Sequence, residues 1–496
     1  MEEEINTKTM CEDQDTISVG TASFKSILSL CSENTMEIPE YQRPYVWSQE
    51  KVDELLGDIK DFYYDDQMVK RGANSNYYMG ALLLHQKEDK RLQIIDGQQR
   101  ITTLLLLDHA LNADESVLSQ ANGNLKLNFD SPLSKKNILS NYAFVQSDKS
   151  FLKTEDYKNL LDHLVFTIII STSEDDAFTF FETQNNRGVK LSPVDYLKSY
   201  HLRELKSDED KQKVFAKQWD KDNQNQFLNL LFTKFVWRAR KWRGKNLFYE
   251  NQDFILNEFQ KQTHSANGSV QLFPNRINSL ANSLSYSVES GMAVHTSPIS
   301  IQTSAENYPF SIRQPIEKGL AFFLFTQKYA AVYKYIFEQE HLHDKELNEA
   351  LCFYREVYYR HSVYLKELFK LCLVMYYDKF GSQQINDFAL WLDYLLGSYR
   401  IHQKSIVAQT PIKMLRDDMS ENLLDVIDRA YLPQEVFTFL KNVTDHWKYR
   451  ELNFKSEYGV QAQYKNQLLA YYKPDDQDKD LSNKLKWIND FITNRK

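Results

Sequence analysis

The sequence predicts an α+β N-terminal domain followed by a mostly α-helical C-terminal region. Apolar runs predict buried strands at residues 77–84, 91–95 and 164–170, and the last of them is nearly all β-branched or apolar. Aromatic-rich stretches with helical periodicity replace them later in the chain, as at residues 321–337, 349–380 and 386–400. A chain of 496 residues exceeds what one hydrophobic core usually holds, so two or three domains are expected.

Composition divides the chain into five segments. Residues 1–17 are predicted to be a loose acidic tail, and residues 18–205 to form the α+β domain. Residues 206–263 form a helical region that contains a basic, tryptophan-bearing patch. Residues 264–307 are rich in Ser, Asn and Thr, which predicts a polar loop or insert. Residues 308–496 are predicted to form an aromatic-rich helical domain.

Charge and cysteine content exclude several classes of protein. The net charge of −8 gives no general attraction to nucleic acid, so any DNA contact must come from a local patch. The four cysteines stand far apart with no CxxC pair, which argues against zinc and disulfides and fits a reducing cytoplasm. The acidic N-terminus does not resemble a signal peptide, and no apolar run approaches the roughly 18 residues that a membrane span needs. A cytoplasmic location is expected.

The segment 92–107 is the most informative in the chain. It is predicted to be a buried strand, a tight polar turn and the start of an apolar helix. Such a turn directs backbone N–H groups and the positive end of a helix dipole at one point, which favours an anion. The candidate binding residues are Asp96, Gly97, Gln98, Gln99 and Arg100 in the turn, with Thr102 and Thr103 in the first helical turn. The alternative is a capped helix with a surface arginine.

A second segment, residues 38–47, combines arginine with flat aromatic rings. Two prolines disfavour helix, so an extended run is predicted. Arginine beside aromatic faces can hold a phosphate and stack a base or sugar. The residues concerned are Tyr41, Gln42, Arg43, Tyr45 and Trp47. An edge strand packed by its aromatic side chains is the alternative interpretation.

Together these segments resemble the N-terminal domain of GmrSD-type, modification-dependent restriction proteins, which has a ParB/sulfiredoxin-like fold. The extended segment is matched by residues 41–47, and the Asp-Gly-Gln-Gln-Arg turn with its Thr-Thr-Leu helix by residues 96–104. A third element of the family is matched by Phe181, Glu182, Asn185, Arg187, Gly188, Leu191 and Asp195. The resemblance covers about the first 205 residues.

The resemblance implies nucleotide binding and Mg²⁺-dependent triphosphate hydrolysis in defence against foreign DNA. Arg43 and Arg100 would clamp phosphates, and Asp96 would hold Mg²⁺ or orient the attacking water. Gln98 and Gln99 would position that water or the terminal phosphoryl oxygens. Replacing Arg100 by alanine should then abolish nucleotide binding without unfolding the protein. No GxxxxGK[ST] sequence is present, so this would not be a P-loop enzyme.

The third element has a purely structural alternative. Acidic residues near 174 suit a helix start, Gly188 suits a helix-ending turn, and Ser192 with Pro193 suits the start of a second helix. Two helices joined by a turn would explain every residue. The functional interpretation places Asn185 and Arg187 at the rim of the nucleotide site.

The basic patch lies at residues 235–245. Its candidate nucleic-acid-binding residues are Arg238, Arg240, Lys241 and Arg243, interleaved with Trp237 and Trp242. Basic side chains with stackable rings can bind backbone phosphate and unpaired bases. The alternative is an amphipathic helix whose tryptophans enter the core while its arginines stay solvated.

Many members of the family carry a C-terminal HNH-like nuclease domain, and the corresponding residues are missing here. The last 100 residues contain only His402 and His446, and the tight group of His341, His343 and Asp344 is more typical of a solvated turn than of a metal site. We therefore predict a nucleotide-dependent sensor or regulator that acts with a partner effector, a nuclease or second defence subunit. A homo-oligomer is compatible with this prediction. Two alternatives stay open: a self-contained nuclease with a diverged C-terminal site, and a non-hydrolysing DNA-binding adaptor. A small-molecule kinase with Glu40 as base is also chemically feasible.

Overall fold

The chain divides into two compact units, Met1–Asn225 and Gln226–Lys496. The computed structural model describes residues 17–63, 76–112, 116, 125–127, 129–147, 161–174, 176–177, 179–180, 191–205, 208–260, 270, 273, 282–287, 291–296, 304–358, 362–403, 405–446 and 458–495. Of the predicted acidic tail, residues 1–16 lie outside these ranges.

A six-stranded mixed sheet forms the centre of the N-terminal unit. Its strands in spatial order are β1 (Ile17–Ser23), β6 (Leu164–Ser171), β3 (Tyr77–Gln86), β4 (Leu92–Asp96), β2 (Met36–Glu37) and β5 (Leu125–Lys126). β6 runs antiparallel to β1 and parallel to β3, while β3 and β4 are antiparallel. β2 pairs in parallel with both β4 and β5. The three strands predicted from apolar runs are thus the central strands of this sheet.

Helices cover the sheet and complete its core. The helices of this unit are α1 (Phe24–Glu33), α2 (Gln49–Tyr63), α3 (Gln98–Asn112), α4 (Pro132–Ser147), α5 (Pro193–Arg203) and α6 (Glu209–Asp222). Alternate strand residues such as Leu82, Ile94 and Phe166 are fully buried against apolar residues of α1 to α4. One sheet face therefore supplies the main core, as the period-2 pattern of a strand requires.

Helix α6 belongs to the N-terminal unit although it follows the predicted boundary at residue 205. Its Glu209 carboxylate lies 3.2 Å from Lys87 and 3.3 Å from Arg91, which flank the β3–β4 turn. At its other end, Asp220 lies 3.0 Å from the buried ammonium group of Lys198 in α5. These ion pairs explain why the compact unit extends to residue 225.

The C-terminal unit is largely helical, as predicted. Its described helices are α7 (Phe227–Leu230), α8 (Trp237–Lys241), α9 (Gln252–Gln260), α10 (Leu320–Glu338), α11 (Lys345–Phe353), α12 (Val363–Phe380), α13 (Ile385–His402), α14 (Gln409–Arg416), α15 (Leu423–Arg429), α16 (Pro433–His446), α17 (Gly459–Tyr472) and α18 (Lys484–Arg495). π-Helical turns at Leu231–Val236 and Tyr354–Tyr358 interrupt the pattern, the second within the stretch predicted as 349–380. None of the described helices is long and apolar enough to cross a membrane.

The segment predicted as a polar loop or insert contains a hairpin. Strands β7 (Asn282–Ser287) and β8 (Gly291–Thr296) pair antiparallel, with Asn282 opposite Thr296. The prediction of a polar loop or insert did not include this hairpin. The strands escaped detection because each has only six residues, and β7 is serine-rich with few apolar side chains.

A fully buried polar network joins three helices of this unit. The Lys484 ammonium group of α18 lies 2.5 Å from a carboxylate oxygen of Asp393 in α13 and 2.7 Å from the hydroxyl of Tyr464 in α17. Lys484 and Asp393 are each completely buried. Gly397 makes room for the network, since a Cβ atom there would overlap the Tyr464 hydroxyl.

Candidate functional site

The β4–α3 turn forms the centre of the candidate site. β4 ends at Asp96, Gly97 adopts φ +98°, and α3 begins at Gln98. A Cβ atom at position 97 would lie 2.8 Å from Leu82 Cδ1, so this left-handed turn needs glycine. The Asp96 side chain is 35% exposed beside the first turn of α3. A solvent-accessible carboxylate thus lies next to N–H groups that have no intrahelical acceptor.

Arg100 holds this turn to strand β3. Its guanidinium donates to the carbonyl oxygens of Met79 at 2.7 Å and Ala81 at 2.6 Å, and lies 3.4 Å from Asp96 Oδ2. Gly80, with φ +94°, lies between those carbonyls, and a Cβ atom there would overlap Arg100 Nη1. The phosphate-clamp role of Arg100 stays a prediction. The geometry favours a positioning role, in which Arg100 fixes the bulge of β3 and orients Asp96.

Gln99 ties the aromatic segment to α3. Its side-chain oxygen accepts hydrogen bonds from the backbone N–H groups of Val46 at 2.9 Å and Trp47 at 3.3 Å. Its amide nitrogen donates to the Pro44 carbonyl at 3.1 Å. Both ends of this amide are therefore engaged with the backbone of residues 44–47, which favours a structural role over the predicted contact with water or phosphate.

Further hydrogen bonds fix the same segment. The Gln42 side chain donates to the carbonyl oxygen of Ile95 at 2.6 Å. The hydroxyl groups of Tyr45 and Thr103 lie 2.8 Å apart, and Asn141 donates to the Tyr45 hydroxyl at 3.0 Å. Since the side chains of Gln42 and Thr103 make these hydrogen bonds, they position the segment instead of facing a ligand. Residues 38–47, called the strap below, are thereby held against the end of β4.

Arg43 is the basic residue that the strap brings to the turn. Burial lowers the pKa of its guanidinium, whereas the nearby carboxylates of Asp195 and Asp96 oppose that shift. Asp195 also closes the capping box of α5, accepting from the Ser192 backbone N–H at 3.0 Å and hydroxyl at 2.7 Å. The strap, the turn and the start of α5 therefore converge around Arg43.

Two buried polar atoms on α3 lack a hydrogen-bond partner among the described residues. They are Gln98 Oε1 and Thr102 Oγ1, which lie one helical turn apart. Gln98 is 5% exposed and Thr102 is 3% exposed. A buried polar atom without a partner is destabilising, so such atoms commonly mark a place for water or a ligand.

Comparison with known families agrees with this geometry. Residues 25–202 match the family model of the GmrSD restriction endonuclease N-terminal domain. Residues 25–202 are thus similar to a GmrSD-type N-terminal domain. Residues 211–456 match DUF7834, a family of unknown function. These two matches include no HNH nuclease domain, in agreement with the sequence analysis.

A curated archaeal protein is similar to part of the chain. It is an uncharacterized protein of Methanocaldococcus jannaschii, 22% identical in the aligned region. The alignment covers 36% of this chain and 41% of the relative. The chain therefore spans about two fifths of that relative's length.

A buried charge cluster behind the strap of the GmrSD-type domain was missed by the sequence analysis. Lys198 is 2% exposed and donates to the Gln42 carbonyl at 3.2 Å and to Asp220 at 3.0 Å. Burial raises the pKa of Asp220 and of Glu40, and Lys198 counteracts both shifts. The pair of Asp195 and Lys198 on α5 was visible in the sequence, but the partner in α6 was not.

A groove of about 410 Å³ borders the residues that lead into the strap. Its walls include Glu37, Tyr41, Arg91 and Gln93. Tyr41 is 7% exposed, and burial raises the pKa of its phenol well above the usual value. Tyr41 is the predicted site residue in this lining, which does not include Arg43 or Asp96.

Two further sequence predictions concern the third family element and metal binding. Asn185 and Arg187 lie outside the described residues. For metal binding, no group of three or more His, Cys, Asp or Glu side chains suitable for a metal occurs in the part of the chain that the structure describes. His343 instead hydrogen-bonds the Tyr335 carbonyl at 2.6 Å, and Asp344 caps α11.

The expectation of a solvent-facing nucleic-acid patch is wrong for its two central arginines. Arg238 is 8% exposed and lies 2.8 Å from Glu250 and 3.0 Å from Glu367. Arg240 is 7% exposed and lies 2.6 Å from Glu258. Such buried, paired guanidinium groups cannot face DNA phosphate without losing their carboxylate partners.

The other residues of that patch differ in burial. Lys241 lies 2.5 Å from Glu258, and Trp237 and Trp242 are both buried. Arg243 is exposed, with its Nε donating to the Arg240 carbonyl at 2.8 Å. The tryptophans thus enter the core, as the structural alternative requires, while the two central arginines are paired inside rather than solvated.

Proposed function

We propose that this protein is a nucleotide-binding, nucleoside triphosphate-hydrolysing sensor or regulator of a restriction-type anti-phage defence system. The observation that supports it is the convergence of Arg43, Asp96 and the N-terminus of α3 beside two buried, unsatisfied polar atoms. A helix N-terminus with an arginine and a carboxylate is a suitable arrangement for a phosphate chain and its divalent cation.

Arg43 is the residue proposed to hold phosphate. Its guanidinium already lies in the field of Asp96 and Asp195, so two negative charges precede the incoming anion. A phosphate oxygen would compete with these carboxylates for the same N–H donors. This arrangement makes binding sensitive to Mg²⁺, because the cation would reduce repulsion between Asp96 and the phosphates.

Asp96 and the first turn of α3 would carry the remaining roles. Mg²⁺ would supply charge neutralisation at the phosphates, with Asp96 as the described carboxylate that could hold it directly or through water. Thr102 would donate its hydroxyl, and Gln98 would orient a water molecule or a phosphoryl oxygen. Such positioning and charge stabilisation are the main contributions a protein makes to phosphoryl transfer.

The defence role follows from the family rather than from a nuclease centre in this chain. The matching family is named for restriction endonucleases, and the described residues contain no metal-ligand cluster of the kind that nucleases use. We therefore propose that DNA cutting, where it occurs, belongs to a separate partner. The buried basic segment offers no support for DNA binding at that position.

The deciding experiment measures phosphate release from ATP, GTP, CTP and UTP with Mg²⁺, with and without DNA. Wild type is compared with Asp96→Ala and with Asp53→Ala, a control that removes an exposed carboxylate from α2 of the same unit. The proposal expects turnover of at least one nucleotide, loss of turnover in Asp96→Ala, and normal turnover in Asp53→Ala. Equal turnover in Asp96→Ala and wild type would contradict the assignment.

A non-hydrolysing adaptor is the second candidate. It is favoured by one observation: among the described residues, Asp96 does not belong to any group of three or more His, Cys, Asp or Glu side chains that could hold a metal ion. This candidate predicts saturable nucleotide binding, measured by equilibrium dialysis, that depends on Arg43 but releases no phosphate. Binding without release would therefore replace the hydrolase proposal while keeping the site.

A further inference from the structure

A second candidate binding site lies in the C-terminal unit, between α11, α17 and α18. It is a cavity of about 660 Å³, within the usual size range of small-molecule sites. Most of its lining comes from residues 471–495, which lie beyond both family matches. Nothing in the proposed nucleotide function uses this cavity.

Aromatic side chains form one wall of the cavity. The ring centroids of Tyr471 and Phe491 lie 5.3 Å apart, and those of Tyr472 and Trp487 lie 6.0 Å apart. Trp487 is 5% exposed, and its indole N–H donates to the Asp478 carbonyl at 3.0 Å. Because these rings pack against one another and Trp487 is hydrogen-bonded, the aromatic wall has little freedom to rearrange.

Carboxylates form the acidic side of the same lining. The ammonium group of Lys486 lies 2.5 Å from Asp478. The hydrogen bond to Asp478 is the largest cause that raises the pKa of Lys486, and the charges of Asp490 and Asp475 raise it further. The acidic side of the cavity therefore already stabilises one alkylammonium group.

The charge balance of the lining favours a cation over a phosphate. Four carboxylates (Glu349, Asp475, Asp478 and Asp490) face three cations (Lys473, Lys486 and Arg495), which leaves a net charge of −1. Arg495 pairs with Glu349 and lies 2.8 Å from Glu346, and Lys486 pairs with Asp478. A polyphosphate would meet uncompensated carboxylates, whereas an ammonium or guanidinium group would be attracted.

We infer that this cavity binds an organic cation, with its ammonium or guanidinium group between the aromatic wall and the carboxylates of Asp475 and Asp490. Aromatic faces and carboxylates together are the standard means of recognising such groups. The cation could arrive as a free polyamine or as an arginine side chain of a partner protein. Both sources have the same chemistry, and they are separated by the choice of probe.

The test is calorimetric titration of the full chain with three probes: spermidine, a short arginine-containing peptide, and the same peptide with citrulline in place of arginine. Citrulline keeps the shape of arginine and removes its charge. Saturable binding of spermidine or of the arginine peptide, with much weaker binding of the citrulline peptide, is expected. Preference for spermidine indicates a free polyamine, and preference for the peptide indicates a partner side chain.

Variants locate the binding to this cavity. Asp490→Asn should weaken cation binding by about threefold to tenfold, because one exposed carboxylate is removed at the mouth. Asp476→Asn, an exposed neighbour outside the lining, should leave it unchanged. Phe491→Leu keeps an apolar side chain while removing a π face, so it should also weaken binding, with thermal unfolding recorded to confirm the fold.

Three results would overturn the inference. One is the absence of saturable binding of both cations at millimolar concentration to folded protein. Another is saturable binding of the arginine and citrulline peptides with equal affinity. The third is an equal effect of Asp490→Asn and Asp476→Asn, which would indicate nonspecific attraction to the acidic surface.

Discussion

Replacing Arg100 by alanine tests whether the arginine of the Asp-Gly-Gln-Gln-Arg turn faces the ligand or supports the fold. Its guanidinium donates two short hydrogen bonds, to the Met79 and Ala81 carbonyls, and its side chain is 23% exposed. Hydrogen bonds to a charged group contribute about 1.5–3 kcal/mol each. Water can replace part of this contribution at a partly exposed site, so the lower end applies and a loss of about 3 kcal/mol is expected.

The assay is calorimetric and urea-induced unfolding, followed for the transition of the N-terminal unit. For a unit of this size, 1 kcal/mol corresponds to about 2–4 °C, so a loss of 3 kcal/mol should lower its Tm by about 6–12 °C. Arg100→Lys keeps the charge but cannot bridge both carbonyls, so its loss should be smaller. An unchanged transition in Arg100→Ala, accompanied by loss of nucleotide binding, would refute this reasoning and support the ligand-facing interpretation.

A double-mutant cycle with Gly80 sharpens the test. Gly80→Ala alone should destabilise the unit, because φ is +94° there and the new Cβ would overlap Arg100 Nη1. In the Arg100→Ala background the overlap disappears and only the backbone strain remains. The two losses should therefore sum to more than the loss in the double mutant, with a coupling of about 0.5–3 kcal/mol. Strict additivity would indicate that the two residues do not interact.

Two further predictions concern the C-terminal unit. Gly397→Ala should lower its stability by about 1–3 kcal/mol in chemical denaturation, because the new methyl group would overlap the Tyr464 hydroxyl; Gly57→Ala in α2, which meets nothing within 4 Å, is the control and should not destabilise the chain. The stability of this unit should also fall in acid. Burial alone would raise the pKa of Glu258, but the positive charges and hydrogen bonds of Arg240 and Lys241 have the larger combined effect and lower that pKa below 4.5. The unfolded state then binds the proton more tightly, so this contribution is present above pH 4.5 and is lost as the pH falls through the lower, folded-state pKa. Urea midpoints measured from pH 7 to pH 3 should decline less steeply in Glu258→Gln, and an identical decline would contradict the assignment.

Much of the N-terminal fold was predictable because its three central strands are apolar and largely buried. The apolar runs predicted 77–84, 91–95 and 164–170, and the strands end within two residues of these limits. The capping residues also carried local information, since Ser192 and Pro193 begin α5 as expected. Local patterns of this kind depend on neighbours in the chain and are visible in one sequence.

The roles of individual site residues were less predictable because their partners are distant in sequence. Arg100 bonds the carbonyl groups on either side of Gly80 in β3. Gln99 bonds the strap, which lies more than 50 residues earlier in the chain. The basic segment shows the same limit: Arg238 is neutralised by Glu367, 129 positions away. A run of basic residues in the sequence indicates how much positive charge is present. Whether those side chains are solvated or paired with carboxylates depends on the fold.

Helix α6 has a consequence for how this protein can be divided and how it can have evolved. The match to the GmrSD-type domain ends at residue 202, and the match to DUF7834 begins at residue 211, inside α6. Yet Asp220 of α6 neutralises the buried Lys198 that supports the strap. A gene exchange between relatives with its breakpoint between the two matches would separate that ammonium group from its counter-ion. Recombination that preserves the N-terminal unit must therefore carry α6 with it and join the new partner after residue 225.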